Sequence, residues 1–251
     1  MTSTGSSATT GNRCSVNSPD LVVLVPSRGR PQNISRLRFA FAATCELRTT
    51  LHFGFDTDDP QLTENIKAVS PCAYTVADRM HLAAWTNHLA TFHMDAPYLC
   101  SMGDDMLPVT PGWDRMLVRA QEKTGGGFTY PELGRGVQHG RQPDIPECVV
   151  IDTRIVAALG WMCLPSLDHW YVDNVWRDLG TANDCLVHVP EAVILHKHPN
   201  VPGGDKPDRT YHDAAQHYEH DLTVYQRWRL RNMREDISAV RRVRKAAAHP
   251  V

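Results

Sequence analysis

Hydrophobic and polar positions along the first 120 residues switch repeatedly between the period of a strand and that of a helix. Residues 21–25 (LVVLV) are an unbroken apolar run rich in β-branched side chains, which predicts a strand buried on both faces. After a PSRGRP loop, Ile34, Leu37 and Phe41 recur at helical spacing, with Pro31 suited to the first turn. Residues 51–55 predict a second strand, 60–69 a short helix and 72–76 a third strand. Over 80–92, Leu82, Trp85, Leu89 and Phe92 form one apolar helical stripe. Residues 97–102 (PYLCSM) predict a central strand that stops at Gly103, Asp104 and Asp105. A Pro/Gly turn and a helix from near Trp113 follow. This alternation predicts an α/β fold with a largely parallel sheet.

Beyond the glycines at 125–127 the texture changes. Strands are predicted at 128–132 and 148–151, separated by a Gly/Pro/Arg-rich loop at 135–146. Residues 153–159 predict a short helix stopped by Gly160, and 167–179 a second one ended by Gly180. On the latter, Val172, Val175, Trp176 and Leu179 form the buried stripe, while His169 and Asp173 share another face at i, i+4. An acid there can serve as a general base or be ordinary helix-surface charge. Strands at 186–189 and 192–195 lead to His196 and His198, and one or two polar helices finish the chain. Residues 1–19, rich in Ser, Thr and Gly, predict a disordered tail; 20–211 predict one folded domain and 212–251 a basic helical extension.

Composition narrows the class. The 251 residues suffice for one sizeable core, and no apolar run approaches the ~18 residues of a membrane span. Seven scattered cysteines without a CxxC pair fit reduced thiols in a cytoplasm rather than a disulfide framework or a zinc site. The net charge of -2 hides an asymmetry: residues 226–251 carry eight Lys/Arg against two acids. Such a run is either the solvated face of a terminal helix or an attraction for an anionic polymer.

The chemistry gathers at strand ends. In open α/β sheets, ligands sit beyond the carboxyl ends of the strands. Three clusters end there: Ser27, Arg28 and Arg30; Asp56, Asp58 and Asp59; Asp104 and Asp105. Arginines suit phosphates, and carboxylates suit ribose hydroxyls or a hard cation. Two adjacent carboxylates need such compensation, although Gly-Asp-Asp also makes an ordinary turn and one acid of Asp56–Asp59 is expected to cap a helix. His196 and His198, two apart at a strand end, can point to one face and complete a carboxylate site. The absence of GxGxxG and of GK[ST] speaks against a dinucleotide fold and a P-loop NTPase.

Over about residues 20–200 the sequence resembles family 2-type glycosyltransferases of the GT-A fold. The resemblance is carried by VLVPSRGRP at 23–31, Asp56 after the second strand, Gly103-Asp104-Asp105 in place of the metal-binding DxD signature, Val172-Asp173, and the histidines at 196 and 198. It implies a Rossmann-like mixed, mostly parallel sheet with flanking helices and a C-terminal helical tail. It also implies a nucleotide-sugar donor, usually a UDP-sugar, bridged by Mn²⁺ or Mg²⁺. By position, Pro26, Ser27, Arg28, Arg30 and Asp56 would cradle the nucleoside and Asp104 the ribose or sugar. Asp105 would bind the metal with His196 or His198, and Asp173 would deprotonate the acceptor hydroxyl, inverting the anomeric centre. Asp168 is the alternative base. Glycine replaces the first aspartate of DxD, and valine the first acid of the pair before the base. The acceptor implied is a hydroxyl on a soluble molecule, with hydroxymethylated DNA or another polymer favoured by the basic tail. Two other classes compete: a nucleotidyltransferase on a similar sheet, and a non-catalytic nucleic-acid-binding module.

Overall fold

The computed structural model describes residues 18–134, 145–199 and 203–248. Most of the predicted N-terminal tail and most of the 135–146 loop lie outside the described residues. An eight-stranded mixed sheet runs in the order β3-β2-β1-β4-β7-β6-β8-β5. Its first half, β3 (Ala73–Ala77), β2 (Thr49–Asp56), β1 (Leu21–Pro26) and β4 (Tyr98–Ser101), is parallel throughout. The second half reverses direction: β7 (Val149–Asp152) runs antiparallel to both β4 and β6 (Phe128–Glu132), while β8 (Leu186–His196) is parallel to β6.

β1 explains the layering. Leu21 to Val25 are all fully buried, because alternate side chains feed two cores. Leu21, Val23 and Val25 pack with α1 (Pro31–Thr44) and α4 (Trp113–Thr124) through Ile34, Leu37, Trp113 and Leu117. Val22 and Leu24 join a second cluster with α3 (Leu82–Ala90), α5 (Thr153–Leu159) and α6 (Val172–Ala182). A short α2 (Leu62–Val69) lies between β2 and β3.

The polar C-terminal region forms three helices: α7 (Arg209–Ala215), α8 (Tyr218–Arg231) and α9 (Met233–Ala248). Tyr225, Trp228 and Val240 join the second core cluster. One residue of the basic run, Arg244, turns inward and donates to the carbonyls of Asn183 and Thr124. The other seven Lys/Arg of this run are exposed.

Several sequence expectations need correction. The helix predicted at 167–179 begins only at Val172, because Tyr171 adopts a left-handed backbone (φ 67°). The amides of Asp168, His169 and Trp170 donate instead to the fully buried carboxylate of Asp221. His169 and Asp173 therefore do not share a helix face. Gly180 does not end α6 but lies inside it, where a Cβ would come within 2.9 Å of Leu186 Cβ. Phe92 leaves the predicted stripe for a 3-10 turn and is half exposed. The two strands predicted at 186–195 are one strand, β8, with an irregularity opposite Pro131 and Glu132. The turn predicted after Asp105 contains a short strand, β5 (Met106–Pro108), antiparallel to β8.

Candidate functional site

The carboxyl ends of β1, β2 and β4 open on a cleft of about 520 Å³, lined among others by Ser27, Asp56, Asp105, Asp173, His196 and Tyr211. This is where the parallel half of the sheet meets the reversed half, a position that favours ligand sites.

Asp104 and Asp105 leave β4 in opposite roles. Asp104 turns inward: it accepts from Ser27 Oγ at 2.5 Å, Arg30 Nη1 at 3.0 Å and Asn33 Nδ2 at 3.4 Å. Burial pushes its carboxyl upward against the pull of Arg30. Arg30 in turn makes a bidentate pair with Asp208 (2.7 and 2.8 Å) and lies over the Tyr211 ring, 4.6 Å from its centroid. Asp208 caps α7, accepting from the Tyr211 amide at 3.2 Å. The start of α7 is thus fastened to the β1 loop through one arginine.

Asp105 faces His196 and Tyr211. Its Oδ2 lies 3.4 Å from His196 Nε2 and accepts from the Tyr211 hydroxyl. Burial disfavours its charge, but His196, Tyr211 and Arg30 outweigh that and hold the carboxyl below the usual carboxylate range. The β5–β8 register makes the encounter: Met106 pairs with His196, and the Lys197 amide donates to the Asp105 carbonyl at 2.9 Å. His196 Nδ1 meets Glu147 at 3.1 Å, while the His198 ring packs edge-on between His196 and Tyr211. Gly103 has a local reason: a Cβ there would sit 2.7 Å from Asp105 Oδ1. The residue that departs from the DxD pattern makes room for the carboxylate that remains.

Asp56 is buried and accepts from Trp85 Nε1 at 2.7 Å, Arg28 Nη1 at 2.8 Å and the Met80 amide at 3.1 Å. Gly54 permits this, because any Cβ there would meet the Trp85 ring at 2.6 Å. Asp58 pairs with Arg28 at 2.5 Å. None of these acids is the cap of α2, whose N-cap is Gln61; Asp59 instead braces the turn before it, accepting from the Gln61 and Gly29 amides and from Asn65, each at 2.8 Å. The β1 loop thus joins the other two clusters, Arg28 pairing with Asp56 and Asp58 and Arg30 with Asp104.

Asp173 lies in the first turn of α6 and lines the cleft, half-buried. Asp168 also lines it, from the segment before α6, with His217 Nδ1 2.8 Å away. Glu147, Tyr211, Asp208 and Trp85 were not singled out as site residues from the sequence. Glu147, Asp208 and Tyr211 come from segments without a motif, and Trp85 read as an ordinary core position.

The donor set suits a divalent cation: a carboxylate and an imidazole converge, and the imidazole's other nitrogen is held by a second carboxylate, as is usual for metal-ligating histidine. Oxygen and nitrogen together fit Mn²⁺, and carboxylate alone fits Mg²⁺.

No protein-family model matches the sequence, and no curated protein matches it. Solved structures do. The mannosyltransferase PcManGT from Pyrobaculum calidifontis, in complex with GDP-Man and Mn²⁺, aligns at TM-score 0.61 and 12% identity over 94% of this chain and 77% of its own. Glucosyl-3-phosphoglycerate synthase from Mycobacterium tuberculosis, with Mn²⁺, UDP-Glc and phosphoglyceric acid, aligns at 0.55 and 10% identity over 82% and 79%. S. aureus TarS 1-349 with UDP aligns at 0.56 and 9% identity over 70% of this chain, which spans only 59% of that fragment. No helix among the described residues is long and apolar enough to cross a membrane. The likeness is one of architecture, and the chain has the GT-A fold of nucleotide-sugar glycosyltransferases.

Proposed function

We propose that this chain is a metal-dependent glycosyltransferase that moves a sugar from a nucleotide-sugar to an acceptor hydroxyl. The observation that carries the reading is the meeting of Asp105 and His196, 3.4 Å apart, on a cleft at the carboxyl ends of β1, β2 and β4 in this fold. Asp105 and His196 would hold Mn²⁺ or Mg²⁺, which neutralises negative charge on the departing diphosphate.

The protein's own groups divide the remaining work. Residues 26–30 and Asp56 form the nucleoside side of the cleft, where Arg28 and the arginine-bearing loop offer donors. Asp104 has Ser27, Arg30 and Asn33 around its oxygens, so its part is to fix Arg30 and the β1 loop, more than to reach a ribose itself. Asp173 is the proposed base: it lies in the first turn of α6, where the helix dipole favours a negative charge. Deprotonation of the acceptor by one carboxylate, with attack opposite the leaving diphosphate, would invert the anomeric centre.

The deciding experiment is a screen of UDP- and GDP-sugars by thermal shift with and without Mn²⁺, repeated on Asp105→Asn. A metal-dependent stabilisation by one donor class, lost in a folded Asp105→Asn, is expected. Donor binding equal in both proteins, with and without metal, would refute the reading. A nucleotidyltransferase would instead release a nucleotidylated product, which product analysis separates.

A further inference from the structure

The geometry points to a divalent-metal site on the rim of the cleft, built by His81, Asp168 and His217 and separate from the Asp105–His196 pair. The three residues arrive from different elements. His81 precedes α3 as its cap, Asp168 lies in the segment before α6, and His217 caps α8. His217 Nδ1 is 2.8 Å from Asp168 Oδ2, and His81 Nε2 is 3.9 Å from Asp168 Oδ1. The His81 and His217 rings lie 4.4 Å apart, and one ligand atom from each of the three residues falls within 4.8 Å of the others. In a tetrahedral zinc site with bonds of 2.0–2.1 Å, ligand atoms stand about 3.3 Å apart, so small side-chain adjustments close this set around an ion.

The surroundings prepare the site. Asp221, fully buried, accepts the amides of Asp168, His169 and Trp170 at 2.7–2.9 Å and fixes the Asp168 segment. The Ala83 amide donates to the Asp168 carbonyl at 3.3 Å, tying the start of α3 to the same point. His220 Nδ1 bonds Asp221 at 2.9 Å and approaches Asp168 at 3.5 Å. The Asp168 carboxylate therefore faces three imidazoles, while the buried Asp221 carboxylate holds the Asp168 backbone and one of those rings, His220, as outer support.

Two imidazoles and one carboxylate select a borderline cation, Zn²⁺, over Mg²⁺ or Ca²⁺. Bound there, it would staple α3, the segment before α6 and α8 together. All three side chains line the cleft, so its remaining position would face a water or an oxygen of a cleft-bound molecule.

The test uses the full chain stripped by a chelator, with Zn²⁺ followed by calorimetry and Co²⁺ by its absorption. Asp105→Asn removes the other candidate metal ligand and is expected to retain one Zn²⁺ per chain and the Zn²⁺-induced rise in melting temperature. His81→Ala and His217→Ala are each expected to weaken Zn²⁺ about tenfold or more and to abolish that rise. Far-UV circular dichroism checks folding. Should His217→Ala misfold, His81, with a side chain 45% exposed, still carries the test. Unchanged Zn²⁺ affinity in folded His81→Ala, or no bound Zn²⁺ in folded Asp105→Asn, would overturn the proposal.

Discussion

The Tyr211 hydroxyl donates to Oδ2 of Asp105, the oxygen that also faces His196 Nε2 at 3.4 Å. A tyrosine from the C-terminal region thus occupies the carboxylate that the proposed metal would need. A hydrogen bond to a charged group contributes about 1.5–3 kcal/mol, enough to compete with a cation. Tyr211→Phe keeps a ring under Arg30 and removes only the donor. Mn²⁺ is expected to bind this variant about tenfold more tightly or better, read by calorimetry without donor. Weaker Mn²⁺ binding would mean that the hydroxyl supports the site instead of competing for it.

The histidine pair is not symmetric. His196 touches Asp105 and Glu147, whereas His198 packs against the His196 and Tyr211 rings. His196→Ala is expected to abolish metal-dependent donor binding, and His198→Ala to weaken it by less. Glu147→Gln, which leaves both proposed ligands in place, should cost about 10–100-fold in metal affinity. Equal metal titrations for His196→Ala and wild type would remove His196 from the site.

Far from the cleft, His52 Nδ1 meets His93 Nε2 at 2.6 Å, and its other nitrogen meets Thr75 Oγ1 at 2.9 Å. Burial, with His93 and His88 nearby, pushes the His52 imidazole down to about 4. Unfolded, it titrates near 6.5, so between those values the unfolded chain binds the extra proton. Stability from this group is whole above pH 6.5 and is lost as pH falls towards 4, by about 3 kcal/mol at most. His52→Gln should flatten the melting temperature against pH over that window. An unchanged slope would place the acid sensitivity elsewhere.

The parallel half of the sheet was legible because each strand is a short apolar run closed by polar residues, as 21–25 shows most plainly. The reversed half was less so. β5 is three residues long and contains Pro108, too short for a periodicity, yet its pairing with β8 brings His196 beside Asp105. The start of α6 is not legible in the sequence, because the apolar spacing continues back to Leu167, while a buried carboxylate 53 residues after Asp168 captures the intervening amides. Tyr211 and Glu147 reach the cleft through tertiary packing alone. Local pattern reports the groups that end strands; it does not report partners delivered from distant loops.

The helix that carries Asp173 begins five residues later than the sequence pattern predicts, but Asp173 lies on the cleft, in the first turn of α6. Its competitor, Asp168, faces His217 at 2.8 Å and His220 at 3.5 Å, a setting that suits a ligand or an ion pair more than a free base. Asp173→Asn is expected to keep donor affinity and fold while lowering turnover by about 10²-fold or more, because only the proton acceptor is lost. Turnover measured across pH separates this from a structural role: the acidic limb of the wild-type profile should vanish in the residual activity of the variant. Near-normal turnover in Asp173→Asn with a dead, folded Asp168→Asn would move the base to Asp168. Normal turnover in both would exclude either carboxylate as the base and, with them, the single-carboxylate inverting route.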